Sequence, residues 1–135
     1  MDAMTGQADG VATLLRHRAT HALVAFLGMG GWAVFANRLH PVPEPLIAGL
    51  AQGAVSATIT LLLKRAIEAI AVRMKDLAAL VLPPLACFAV SLALLLLIHT
   101  SVGTPEISAT IAVPLAVSTG YGALYNLVLW RGRTD

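Results

Sequence analysis

Four apolar runs separated by short polar breaks dominate the chain and leave it few ways to fold. They lie at about residues 19–39, 46–64, 77–99 and 105–130. Each approaches or exceeds the roughly 20 residues that a helix needs to cross the hydrocarbon core of a bilayer. Inside that core every backbone N–H and C=O must be satisfied within the protein, so a spanning segment is a helix or part of a closed barrel. Long runs without strict alternation read as helices. The expected fold is therefore all-α and integral to the membrane: a four-transmembrane-helix bundle. Residues 1–18 form a polar head, within which Val11–Arg18 suits a short surface helix, and residues 19–135 form a single membrane domain. Only 12% of the 135 residues are charged, against about 25% in a soluble domain, so no soluble domain is expected.

The breaks carry most of the local information. "HPVPEP", residues 40–45, holds three prolines in six positions and cannot continue a helix. After Leu63, the residues Ile67, Ile70, Ala71 and Met74 fall on one helical stripe, with Arg65, Glu68, Arg73, Lys75 and Asp76 on other faces. That pattern fits an amphipathic surface helix over 65–76, and equally a solvated extension of the second span. Pro83 and Pro84 should kink the third helix or delay its start. Thr104, Pro105 and Glu106 read as the fourth helix's start: a capping hydroxyl, a proline at the first helical position, then an acid in the first turn.

Charge placement gives an orientation. Arg16, Arg18, Lys64, Arg65, Arg73, Lys75, Arg131 and Arg133 share one side of a four-span chain, and Arg38 stands alone on the other. The positive-inside rule then puts both termini in the cytoplasm. Arg16 and Arg18 ahead of an apolar run, with Val34-Phe35-Ala36 beyond, loosely resemble a cleavable signal. The long head and the bulky Trp32 and Phe35 argue against cleavage. Abundant Ala, Leu and Arg with only two lysines suit a bacterial cytoplasmic (inner) membrane.

A shift of 62 residues superposes Pro43-Glu44 on Pro105-Glu106, Ala54-Val55-Ser56 on Ala116-Val117-Ser118, Leu23 and Phe26 on Leu85 and Phe88, and Asn37 on His99. Spans one and two thus read as a helical hairpin repeated in spans three and four, a parallel repeat. Such a repeat would gather His40, Glu44, His99 and Glu106 at one outer mouth, a candidate site for a cation or a lipid head group. Glu44 and Glu106 also suit a plainer role, carboxylates favoured by the helix dipole at an N-terminus. The four residues match no metal-binding spacing, so no metal is assigned.

Within the spans the polarity is uncharged. Gln52, Ser56 and Thr60 repeat every four residues, and Ser118 and Asn126 lie on span four. They form a packing face or the lining of a narrow path. Gly49, Gly53, Gly28, Gly31 and Gly122 are candidate points of close helix approach. The single cysteine, Cys87, lies within an apolar run and reads as a small buried hydrophobe. No Asp, Glu, Lys, Arg or His lies near mid-span, where coupled pumps usually keep one. No catalytic constellation and no phosphate loop is present, so neither an enzyme nor a cofactor is assigned, and a net charge of +2 gives no ground for a nucleic-acid partner.

Small multidrug-resistance transporters carry a carboxylate in their first span, and residues 22–36 contain none. Those transporters and the small fluoride channels often pair opposed subunits with weak charge bias, unlike this chain. In length and span number the chain is similar to GtrA-like proteins, implicated in moving polyprenol-linked sugars, with no motif matched residue by residue. The functional expectation is a small non-enzymatic subunit or translocation factor acting on or beside a membrane lipid or lipid-linked substrate. It would work as a homo-oligomer or with a larger membrane-protein partner. A homo-oligomeric channel for a small solute and a scaffold subunit of a membrane enzyme complex are the alternatives.

Overall fold

The structure, a computed structural model, describes residues 2–134, with side chains at all of these except 2–9, 11, 12, 14, 15 and 134. It contains α1 (Asp2–Ala36), α2 (Glu44–Ala71), α3 (Asp76–Ser101) and α4 (Ile107–Thr134), and no strand among the described residues. All four helices are long and apolar enough to cross a membrane, with candidate spans of 21, 28, 26 and 27 residues. Short connections make neighbours antiparallel. The α1–α2 and α3–α4 turns therefore share one end of the bundle, the two-turn end, and the chain termini share the other. Helices α2 and α4 meet across the bundle, whereas α1 and α3 make no contact among the described residues.

Two boundaries depart from the sequence reading. The polar head is helical and continuous with the first span, since α1 runs unbroken from Asp2, while the candidate span itself begins at Arg16. Its 35 residues span about 52 Å at 1.5 Å per residue. Residues 65–71 likewise continue α2 and form no surface helix. The stripe turns inward: Ile67 and Ala71 are buried, and Tyr125 and Leu129 of α4 pack against the same core cluster. The extension reading is the one the structure favours.

Close approach explains the α1–α2 hairpin. A Cβ on Gly30 would lie 2.8 Å from the Gly49 carbonyl oxygen, and one on Gly53 would lie 2.9 Å from both the Phe26 ring and the Phe26 carbonyl oxygen. Gly49 is equally tight against Val34. Gly30, Gly49 and Gly53 thus form the contact, a small-residue crossing of the kind membrane helices use. Gly28 and Gly31 face open space, and Gly122 sits under Ile67. The expectation for Gly28 and Gly31 is corrected in favour of Gly30, which alone of the three shares the inward face with Ala33 and Asn37.

The second hairpin is held differently. Helix α3 starts at Asp76, ahead of Pro83 and Pro84. Proline has no N–H, so each removes the donor for the carbonyl four residues earlier, here Ala79 and Leu80. Asn126 of α4 supplies the missing bonds: its Nδ2 donates to Ala79 O at 3.0 Å and to Leu80 O at 2.7 Å. At the same end Trp130 Nε1 donates to Asp76 O (3.1 Å) and Arg133 Nη1 to Ala71 O (2.8 Å). A guanidinium on the last carbonyls of α2 is favourable for both hydrogen bonding and the dipole.

Asn126→Leu should strand two carbonyls and destabilise the bundle by about 1–3 kcal/mol. In a Pro83→Ala/Pro84→Ala background the penalty should shrink, because helical donors return. Denaturation in detergent of the four proteins forms the cycle. An equal penalty in both backgrounds would refute the assignment.

Candidate functional site

The two-turn end concentrates the polar side chains. Asn37, just past the end of α1, is fully buried, and its amide is fully used. Its Nδ2 donates to Ala33 O and to Thr110 Oγ1, both at 2.8 Å, and its Oδ1 accepts from the Glu106 N–H at 2.9 Å. Thr110 N–H and hydroxyl in turn donate to Glu106 O at 2.9 and 2.6 Å. Glu106 is therefore the residue just before α4, and Asn37 reaches across from α1 to take one of the orphan N–H groups of that helix start. Trp32 Nε1 adds a second α1–α4 tie to Ala109 O at 3.0 Å.

Thr104 does not act as the cap that its sequence position suggests. Its hydroxyl lies 2.8 Å from His99 Nδ1, and His99 Nε2 lies 2.8 Å from Gln52 Oε1. Gln52 Nε2 donates to Ser56 Oγ at 2.7 Å. An amide oxygen can only accept, so with Gln52 in this orientation His99 carries its proton on Nε2 and Nδ1 accepts from Thr104. The four groups make a one-directional chain, Thr104 to His99 to Gln52 to Ser56, that joins α3 and its turn to α2. Thr104, His99 and Gln52 have the connectivity of a nucleophile, base and orienting group. Their exposures of 6%, 0% and 0% leave no face for a substrate.

Above this chain lies an exposed charged rim. His40 Nε2 is 3.0 Å from Glu106 Oε1, and His40 Nδ1 is 3.8 Å from Glu44 Oε2. Arg38 stacks 3.9 Å from the centroid of the Phe35 ring and donates to Phe35 O at 2.9 Å. The structure thus brings His40, Glu44 and Glu106 together across the two turns and turns His99 inward, away from them. Among the described residues no three His, Cys, Asp or Glu side chains converge to hold a metal ion.

The interior polar residues form no single row. Gln52 and Ser56 are buried, whereas Thr60 is on the surface. Each i+4 step advances about 40° around a helix, so two steps carry Thr60 off the shared face. Ser118 donates back to Leu115 O of its own turn at 3.2 Å. Asn126 serves the α3 carbonyls at the far end. The space among Leu63, Pro84, Cys87, Phe88, Ser91, Ser118, Thr119 and Gly122 is too narrow for a water molecule. A larger cavity of about 370 Å³ opens on the side of the bundle, between α1 and α2. Phe26, Leu27, Gly30, Gly31, Val34, Leu46, Gly49 and Leu50 line it.

Sequence reasoning passed over Gly30, Asn37 as a cross-helix cap, and the Pro–Asn bonds. A buried Asn37 would have set the phase of α1 and selected Gly30. No family model, curated protein or solved structure matches the chain.

Asn37→Leu should cost about 1–3 kcal/mol, because it orphans a buried N–H. Glu106→Gln should cost less than about 1 kcal/mol, because its pair with His40 is exposed. Melting of both variants in detergent checks the ranking, and the reverse order would mean that the charged rim, not the buried amide, holds the hairpins together.

Proposed function

We propose that this is a small non-enzymatic protein of a bacterial inner membrane, a subunit or translocation factor that acts on or beside a lipid or lipid-linked substrate. The observation that carries the reading is the α1–α2 groove. It lies in the half of the bundle next to the two-turn end, has glycines for a floor and apolar side chains for walls, and opens sideways where a membrane helix meets hydrocarbon. Its 370 Å³ falls at the lower end of the range for ligand sites. The groove stops within about two turns of the rim formed by Arg38, His40, Glu44 and Glu106. An apolar slot under a charged rim matches the two-part chemistry of a lipid. The absence of charge near mid-span in the four runs fits a partner that stays in the bilayer better than a pumped ion.

The two-turn end faces outward in this reading and both termini lie in the cytoplasm, on the side with eight of the nine basic residues. The hairpins are repeats of one unit. In support, Asn37 and His99 stand 62 positions apart, and each reaches from the end of an odd-numbered helix across to the other hairpin. A homo-oligomer or a larger membrane partner would complete the assembly.

Gly31→Leu tests the groove. A Cβ there meets nothing within 4 Å, so the bundle should keep its melting temperature while the side chain fills the slot. Native mass spectrometry should then show fewer retained lipids than for the parent. Unchanged lipid retention would sink the lipid reading, and loss of an oligomer instead would make the groove a subunit contact. Reporter fusions at the C-terminus and in the 40–45 turn should give opposite results; an external C-terminus would overturn the topology.

A further inference from the structure

We infer that the seam between α2, α3 and α4 is a closed path for water and small neutral hydrogen-bonding solutes, plugged by Leu63 and Ile67. Three observations carry it. First, buried polar groups descend from the two-turn end toward mid-bundle: Thr104, His99, Gln52 and Ser56 in one bonded chain, then Ser91, all less than 9% exposed. Burying so many polar groups among membrane helices is costly, and such groups commonly face a bundle interior or a water-filled cavity.

Second, two oxygens inside the bundle have no partner: Thr119 Oγ1 and Asn126 Oδ1. Asn126 is 1% exposed. Positions 119, 122 and 126 fall on one face of α4, and the two orphans are about 10 Å apart along it. An orphaned buried acceptor is a standing cost that a water would remove. Third, what separates the two orphans is a pair of apolar side-chain ends. Gly122 lies between them, with the Ile67 Cδ1 and Leu63 Cδ1 methyls at 3.3 and 4.0 Å from where its Cβ would be. Leu63 also lines the narrow space that Thr119 and Ser91 border. Rotation of these two side chains would join the polar column to Asn126 and wet both orphans.

The solute class follows from the lining. Hydroxyls and amides donate and accept without charge, and the one histidine is committed to Thr104 and Gln52 in its neutral form. An ion would meet no compensating charge. A plug of two aliphatic side chains closes such a path by dewetting.

The test uses the full chain in vesicles of phosphatidylethanolamine and phosphatidylglycerol, with water and glycerol entry followed by stopped-flow light scattering. Leu63→Val and Leu63→Ala should raise permeability severalfold, in the order of the volume removed. Adding Thr119→Val to Leu63→Ala should bring it back toward the parent by drying the seam. Where Leu63→Ala does not assemble, Leu63→Val alone decides. Unchanged permeability in an assembled Leu63 variant overturns the inference. So does a matching rise in potassium leak, which would mark an unselective defect, and so does indifference to Thr119→Val.

Discussion

The constraint on which this bundle depends is that no backbone group may stay unpaired in a place without water. A helix meets it along its length and fails at its start, at its end and four residues before every proline. Three of the polar side chains sit at such failures. Asn37 takes the Glu106 N–H at the start of α4. Arg133 covers the Ala71 carbonyl at the end of α2. Asn126 feeds the two carbonyls that Pro83 and Pro84 leave without donors. In water these gaps would be filled by solvent at little cost. Between membrane helices each repair must come from a neighbour, so each one also fixes which helices lie side by side.

This explains why the polar residues within the spans need no catalytic role to account for them. An uncharged amide carries both donor and acceptor and can repair either kind of gap without the cost of burying charge. The chain through His99 at the two-turn end is different, because every partner in it is a side chain and no helix end is repaired. Polarity that repairs no backbone gap is the unusual feature of the interior, and it lies between α2 and α3.

The helix count was legible in the sequence because hydrophobic length is a crude signal that survives without tertiary knowledge. Four runs gave four helices. Helix ends were less legible: the polar head and residues 65–71 continue helices because backbone hydrogen bonding runs on wherever no proline or turn stops it. The rim was half legible. Proline-rich turns pointed to His40, Glu44 and Glu106 as neighbours, but His99 differs by facing inward, and only packing decides which way a ring at a helix end turns. The caps were illegible for a plain reason. Thr104 is a better cap than Asn37 by sequence position, yet it already serves His99, and Asn37 reaches Glu106 only because α1 crosses α4 there.

The two hairpins meet the same constraint by different means, and the difference has a mechanical consequence. In the first, glycines bring backbones into contact, a crossing that depends on shape alone and leaves a groove beside it. In the second, prolines interrupt the ladder and an asparagine bridges the interruption, which ties α3 to α4 by specific bonds. Helix α1 is bonded to α4 through Trp32 and Asn37, both near its last turn, while Tyr125–Glu68, Trp130 and Arg133 bond α4 to α2 and α3 toward the opposite end. Helices α2, α3 and α4 are thus pinned near both ends. The bonds from α1 to α4 lie at one end only, and its long contact with α2 is a smooth glycine seam. Any motion that widens the groove therefore has its pivot at the rim, where residues 104 and 106 touch His99, Asn37 and His40 within three positions of chain.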